Sequence, residues 1–402
     1  MNTSVPVVVI APGQHGHTIA RSLGRLGVPM YGVHADSRSP AARSRYWREN
    51  FIWDIAKAAP EESIDQFLRI SRKIGTRPIL IPTDDDSCVF VADHASELKE
   101  GFLFPNQPIG LTRSLSSKKQ MYFLCKKHGI PAAETAFPLS REEVIAFAKD
   151  AIFPVILKGI DTLALKRRTG VKLVLCEDEK ALLKHYDEME TPEAPNLMIQ
   201  EYLPGGSRTV WMFDGYFDDQ SNCLFGLTAN MIRQYPAYAG VTSLGVCLWN
   251  EDVARQTKKF MKAIGYRGAL DIGYKYDDRT GQYKAIDANP RVGRTFRLLV
   301  DSVGMDVVQA LYLDLTGQPV EPGEPREGRK WVVENFDVVS SPRYCRDDKL
   351  NLWQWIRSYQ GVEEAMWFAW DDMAPFVTMG WSSLEWAFGQ LFTKVQTHSA
   401  GP

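Results

Sequence analysis

Asp271, Asp287 and Asn289 are of the right type and spacing to hold a hard cation. They lie in GALDIGYKYDDRTGQYKAIDANPRVGRTFR, residues 268–297. Two β-prone runs, 269–276 and 282–288, flank DDRTG, whose Asp, Thr and Gly suit a tight turn. Strand pairing would bring Asp271 near Asp287, and Asn289 shares a face with Asp287 because strand side chains alternate. Two carboxylates and an amide oxygen suit Mg²⁺ and leave coordination positions for water and phosphate oxygens. The alternative is an exposed hairpin bearing ordinary surface acids. Arg291, Arg294 and Arg297 follow at once and could surround an anion after the chain turns at Pro290.

Two lysines earlier in the chain extend this chemistry. Lys118 opens a helical stretch that runs to Lys127 and stops at HGIP, with Lys119 leaving its register open by one position. Lys158 ends the apolar strand FPVILK, 153–158. Beyond it, GIDTLALKRRTGVKLVL offers Lys166, Arg167 and Arg168, either as cations covering phosphate or as a mobile basic hairpin. A third strand, LMIQEYL at 197–203, precedes PGG.

The elements that must position these groups are those of an α/β protein. Residues 5–10 form a continuous apolar run suited to a buried parallel strand, followed by a loop and a helix to Leu26. Gly13 and Gly16 lack the full three-glycine dinucleotide fingerprint, which leaves a nicotinamide-dependent redox reading resting on this first turn alone. His15 and His17 in that loop are either substrate contacts or locally bonded. PILIPTDDD carries a strand into an acidic loop, where Asp84, Asp85 and Asp86 either face an amine or, for Asp86, cap the next helix. A boundary falls near residue 112, and EPGEPREGRK at 321–330 reads as a linker to a tail rich in tryptophan.

Asp-x-Asn-Pro-Arg at 287–291, with an acidic strand residue sixteen positions before its first aspartate, resembles the metal-binding end of the ATP-grasp superfamily. The later Gly-x-x-Phe-Arg at 293–297 is similar to its carboxylate-amine ligase branch. The resemblance covers roughly residues 1–320 and its motifs fall in the family's order. It implies an α/β fold with an amino-terminal domain at 1–112, an ATP-grasp domain at 113–320 and a helical, Trp-rich extension at 321–402. It implies ATP and Mg²⁺ as cofactors, with Mn²⁺ substituting, and Asp271, Asp287 and Asn289 as the metal ligands. Lys118, Lys158, Lys166 and Arg168 would contact phosphate. Gln200, Glu201, Tyr202 and Leu203 would form the adenine hinge, the Glu201 side chain bonding the adenine amino group. The family's glycine-rich phosphate flap is absent, and Ser207 and Arg208 stand where an acid often holds the ribose. Arg291 and Arg233 would act in catalysis, and Arg294, Arg297 and Asp85 would bind substrate.

The expected reaction is ATP-dependent amide or peptide bond formation through an acyl phosphate between a small carboxylate and an amine, an amino acid or peptide among them. D-aspartate ligation to a cell-wall precursor, a related carboxylation and a non-catalytic ATP-binding scaffold are the alternatives. Composition bounds the rest. The 402 residues are 45% hydrophobic and 24% charged, as in an ordinary globular protein of two or three domains. A net charge of −2 gives no pull toward nucleic acid. Six scattered cysteines fit a reducing cytoplasm, and no leader or membrane-spanning run is expected. The tail, with Trp331, Trp353, Trp355, Trp367, Trp370, Trp381 and Trp386, is expected to pack on the body or on another subunit, with interfacial membrane contact as the alternative.

Overall fold

The computed structural model describes residues 1–10, 16–191, 193–238, 240–347 and 349–383. Gly13, His15 and Trp386 lie outside the described residues. The chain divides into two compact units, Met1–Arg113 with Trp211–Asp271 and Asn289–Pro402, and Ser114–Val210 with Ile272–Ala288.

In the first unit, the apolar strand Val7–Ile10 is buried along its whole length between Met30–His34 and Ile79–Pro82, both parallel to it, and Trp47–Ile52 completes the sheet. A run apolar on both faces needs cover on both, which is why helices alternate with these strands. Pro60–Ile74 shows how such a helix is bounded: proline fits its first turn and Gly75, at φ 81°, ends it in the left-handed region. A seven-stranded sheet follows, in the order Gln282–Asn289, Gly268–Asp277, Val210–Phe217, Cys223–Tyr235, Val241–Cys247, Lys330–Val332 and Val362–Ala365. The first two are the arms of the expected hairpin, which begins and ends in this unit.

The tail differs from expectation. It contributes two strands to the sheet as well as the helices Glu334–Arg346 and Leu352–Ser358, so it is not purely helical. Trp331 and Trp367 are wholly buried in the core beside Val7, Ile19 and Leu23. Three polar anchors hold the tail in place. Arg21 meets Asp372 at 2.8 Å, Arg233 forks onto Asp337 at 2.8 Å, and His17 stacks on Trp367 while bonding the Met366 carbonyl. Residues 321–330, expected as a free linker, are bonded into this unit: Glu324 N donates to Ser302 Oγ and Gly328 N to the Cys247 carbonyl. The apolar run after Arg297, LLVDSVGMDVVQALYLDLTG, has the pattern of a buried helix pair but forms one helix, Val307–Leu315, preceded by the 3₁₀ turn Phe296–Leu298. Asp301 accounts for the difference: its carboxylate accepts from Val303 N, Met305 N and Gly323 N, a turn that competes with helix.

The second unit is built on a four-stranded antiparallel sheet, Thr135–Ala136, Leu197–Glu201, Val155–Gly159 and Leu173–Cys176. One face carries Val155, Leu157, Leu197 and Ile199, all essentially inaccessible, against Leu165, Leu182 and Tyr186 of the covering helices. Ser140, Asp161 and Asp178 cap those helices. Period-two alternation then turns Lys158 and Gln200 to the opposite face.

Candidate functional site

In the second unit the two lysines converge. Met198 stands opposite Lys158 in the ladder, and Gln200, two residues on, is its diagonal neighbour on the same face. Lys158 Nζ donates to Gln200 Oε1 at 2.7 Å, and Gln200 Nε2 donates to Thr135 Oγ1 at 3.1 Å. Burial pushes the Lys158 amine down to about 8, the Lys118 charge adds to this, and Asp287 partly offsets it. Lys118, at the start of the helix Lys118–Lys127, donates to Thr162 Oγ1 at 2.7 Å and to the Ile160 carbonyl at 3.3 Å. Its amine is also depressed by burial, with Asp161 and Asp287 opposing the shift. Lys119 instead lies over the Phe137 ring, so the open register falls on Lys118. A narrow recess of about 20 Å³ is lined by Met121, Ala133, Met198 and Ile286 together with Lys118, Lys158 and Gln200. Its lining mixes apolar side chains with a few polar groups, as ligand sites commonly do.

Asp287 lies against Gly273, where a β-carbon would come within 2.4 Å of its Oδ1. Glycine is needed there so that the carboxylate can approach the backbone. Glu201 differs from expectation. Its carboxylate accepts from Lys284 at 2.8 and 2.9 Å and from Arg279 at 2.6 Å, so the side chain is held within the hinge. Asp277 is paired to both cations, and the Arg279 contact first, with Lys284 in support, holds its carboxyl far below the usual carboxylate range. The sequence reading missed Lys284, Arg279 and Asp277, and the only signal was their place around the DDRTG turn. Leu203 is buried, and Tyr202 lies beneath Lys275 Nζ at 5.6 Å.

In the first unit, Asn289 Nδ2 donates to Asp271 at 3.3 Å, and its Oδ1 accepts from Arg291 at 3.1 Å. The amide thus presents nitrogen to the carboxylate, as a donor must. Arg291 also donates to Asp85 at 2.8 Å. The helix there is capped by Asp84, which accepts from Ser87 N at 2.9 Å, in place of Asp86. Behind Asp271 lies Asp214, fully buried, with neither carboxylate oxygen hydrogen-bonded and with Gly293 packed on both acids. Burial, then the Asp271 charge, pushes its pKa well up, with Arg291 opposing. Sequence reading missed Asp214, which looks like any strand acid in WMFDGYF. Among the described residues no three His, Cys, Asp or Glu side chains are grouped to hold a metal. The Asp271 carboxylate is a hard oxygen donor, the Asn289 amide would turn its oxygen from Arg291 to join it, and the orphaned carboxyl of Asp214 beside them marks a locus short of positive charge. This donor chemistry fits a divalent cation such as Mg²⁺.

No family model matches the chain. It is 24% identical over 228 residues to the D-aspartate ligase of Enterococcus faecium, covering 54% of each protein, so it spans about half the length of that relative. Among solved structures, the N5-carboxyaminoimidazole synthetase of Staphylococcus aureus complexed with ADP superposes with a TM-score of 0.62 at 13% identity, over 82% of this chain and 81% of that one. The biotin carboxylase domain of Hydrogenobacter thermophilus 2-oxoglutarate carboxylase, in complex with MgADP, ADP and bicarbonate, gives 0.60 at 16%, over 82% and 74%. The chain has the ATP-grasp fold.

Several expected residues have other partners in this ATP-grasp chain. Lys166, Arg167 and Arg168 lie in the last turn of a helix, Thr162–Thr169, and not in a mobile basic hairpin. Asp161 caps its start, Gly170 at φ 80° ends it, and TLALKRR is rich in helix formers. Arg168 donates to the Met189 carbonyl. Arg233 is buried against Asp337, which also accepts from Ser243, Trp355 and Tyr359, so its fork is filled by structure. Arg297 is likewise engaged, by Glu364 at 2.8 Å and Asp306 at 2.6 Å. His17, one of the expected loop contacts, is buried against the tail. No described helix is long and apolar enough to cross a membrane.

Proposed function

We propose that the chain is an ATP-dependent carboxylate-amine ligase. The observation that carries this reading is the convergence of Lys118 and Lys158 beside Asp287 over one face of the four-stranded sheet. In the second unit, the backbone of residues 201–203 takes the adenine edge, the two ammonium groups take phosphate oxygens, and Asp287 is a magnesium ligand. In the first unit, Asp271 and Asn289 are magnesium ligands and Arg291 faces the activated carboxylate. Mg²⁺ when bound neutralises the charge of the transferring phosphoryl group.

The γ-phosphoryl group passes from ATP to a substrate carboxylate oxygen, and ADP leaves. The amine nitrogen then attacks the acyl carbon, the carbon–oxygen bond to phosphate breaks, and the nitrogen loses a proton. Arg291 offers two N–H groups to the charge that builds on the acyl oxygen. Hydroxide is too poor a leaving group for direct attack, which is why the carboxylate is activated. The likeness to a D-aspartate ligase favours an amino acid as the carboxylate. ADP release screened across amino acids and short peptides, with mass spectrometry for a condensed product, tests the reading. ATP binding without ADP release in the presence of any acceptor would leave a scaffold instead.

A further inference from the structure

The arginines that follow Asn289 divide by partner. Arg297 is neutralised by Glu364 and Asp306, and Arg291 by Asp85. Arg294 has no hydrogen bond and no ion pair among the described residues, and its Nε is buried without a partner. Its guanidinium lies over the Phe336 ring, 5.8 Å from the centroid. Burial first, then the Arg291 charge, pushes its pKa down, and the Asp271 charge opposes this without a hydrogen bond or ion pair between the two. A guanidinium nonetheless keeps its proton, so this is a half-buried cation in want of an anion.

Phe336 stands in the first turn of the tail helix Glu334–Arg346 and stacks on Tyr235 with centroids 4.6 Å apart and planes 17° from parallel. The ring backs Arg294 on one side, and its terminal Nη groups, without a hydrogen bond among the described residues, are left to make the paired bonds that suit a planar carboxylate. We infer that Arg294, backed by Phe336 from the carboxyl-terminal tail, seats a carboxylate of the substrate that does not itself react. This deepens the ligase reading and rests on it: one substrate is an amino acid or a peptide with a free α-carboxylate. The tail is then part of the specificity apparatus, with Phe336 as a positioning residue.

The test uses the full chain and calorimetry. Each of the common L-amino acids, and D-aspartate, is titrated beside its α-carboxamide, with inorganic phosphate as a further probe. Wild-type protein is expected to bind at least one free acid about tenfold or more tightly than its amide, the usual scale for a charge-assisted pair. Arg294→Gln should erase that preference, Arg294→Lys should restore part of it, and Phe336→Leu should weaken acid binding while leaving amide binding and the melting temperature unchanged. Equal binding of acids and amides, no acid binding at all, a preference that survives Arg294→Gln, or phosphate as the only anion bound would each overturn the inference. ADP release is measured in parallel. Turnover retained without any acid preference would sink this inference alone, whereas an acid preference without turnover on any substrate would sink the ligase reading alone.

Discussion

Lys158 offers the sharpest test of the nucleotide site, because its charge should be sensitive to pH where ordinary lysines are not. Burial and Lys118 push its amine down to about 8, against an unperturbed value of about 10.4. The free protein therefore carries this charge in about nine-tenths of molecules at pH 7 and about one-tenth at pH 9. If the phosphates bind the ammonium form alone, ATP affinity falls about tenfold across that interval, and binding at pH 9 takes up close to one proton per site. Lys118 shifts in the same direction and would steepen the fall. Phosphate itself last ionises near pH 6, so measurements above about pH 7.5 isolate the protein's contribution. Lys158→Arg should flatten the profile, since a guanidinium does not titrate in this range. Lys158→Ala should also be flatter, and weaker than wild type at pH 7 by about one to two orders of magnitude, from about 1.5 to 3 kcal/mol for a charge-assisted contact, a gap that narrows about tenfold by pH 9. Linkage fixes the sign for folding. With the folded pKa below the unfolded one, the charged amine opposes folding in full below pH 8, and the opposition fades as pH rises from about 8 toward about 10.4. Ligand-free wild type should thus gain melting temperature relative to Lys158→Met over that window. Calorimetry of Mg–ATP in two buffers of different ionisation heat counts the protons. Affinity that is constant from pH 7 to 9 in wild type would refute the argument.

Asp287→Asn should abolish magnesium-dependent ADP formation while a thermal melt moves by no more than about 0.5 kcal/mol, and near-normal turnover would sink the metal assignment. Gly273→Ala should lower turnover more than stability, because its β-carbon would meet Asp287 Oδ1 at 2.4 Å and push the carboxylate aside; unchanged kinetics would show that Asp287 need not sit there. Asp337→Ala strands Arg233 in the core and should cost about 3–5 kcal/mol in denaturant unfolding, far more than the loss of a surface acid. Ending the chain near residue 325 removes Trp331, Trp367 and the partners of Arg21 and Arg233, and should yield aggregates by light scattering. A soluble, active truncation of unchanged mass would contradict that account of the tail.

The ATP-grasp fold and the local elements were legible in the sequence because they depend on near neighbours. The strand ending at Lys158, the helix beginning at Lys118 and the hairpin about DDRTG follow from residue periodicity and turn chemistry, and the structure has them nearly where expected. What the sequence could not decide was which polar groups are already satisfied. Arg291, Arg294 and Arg297 are alike in a string of letters, yet one meets Asp85, one meets Glu364 and Asp306, and one has only an aromatic ring. Asp85, Glu364 and Phe336 lie far away in sequence, in a helix near residue 85 and in the tail. The same holds for Arg233 with Asp337 and for Glu201 with Lys284, whose net charge depends on contacts no local pattern encodes. Residues 162–169 show the converse, since helix propensity and an aspartate cap were present in the sequence, but the expected phosphate flap drew the reading to a loop. Local free energies choose the elements. The long-range pairing of buried charges, which the low dielectric of the interior makes costly to leave open, is settled only when the chain has folded.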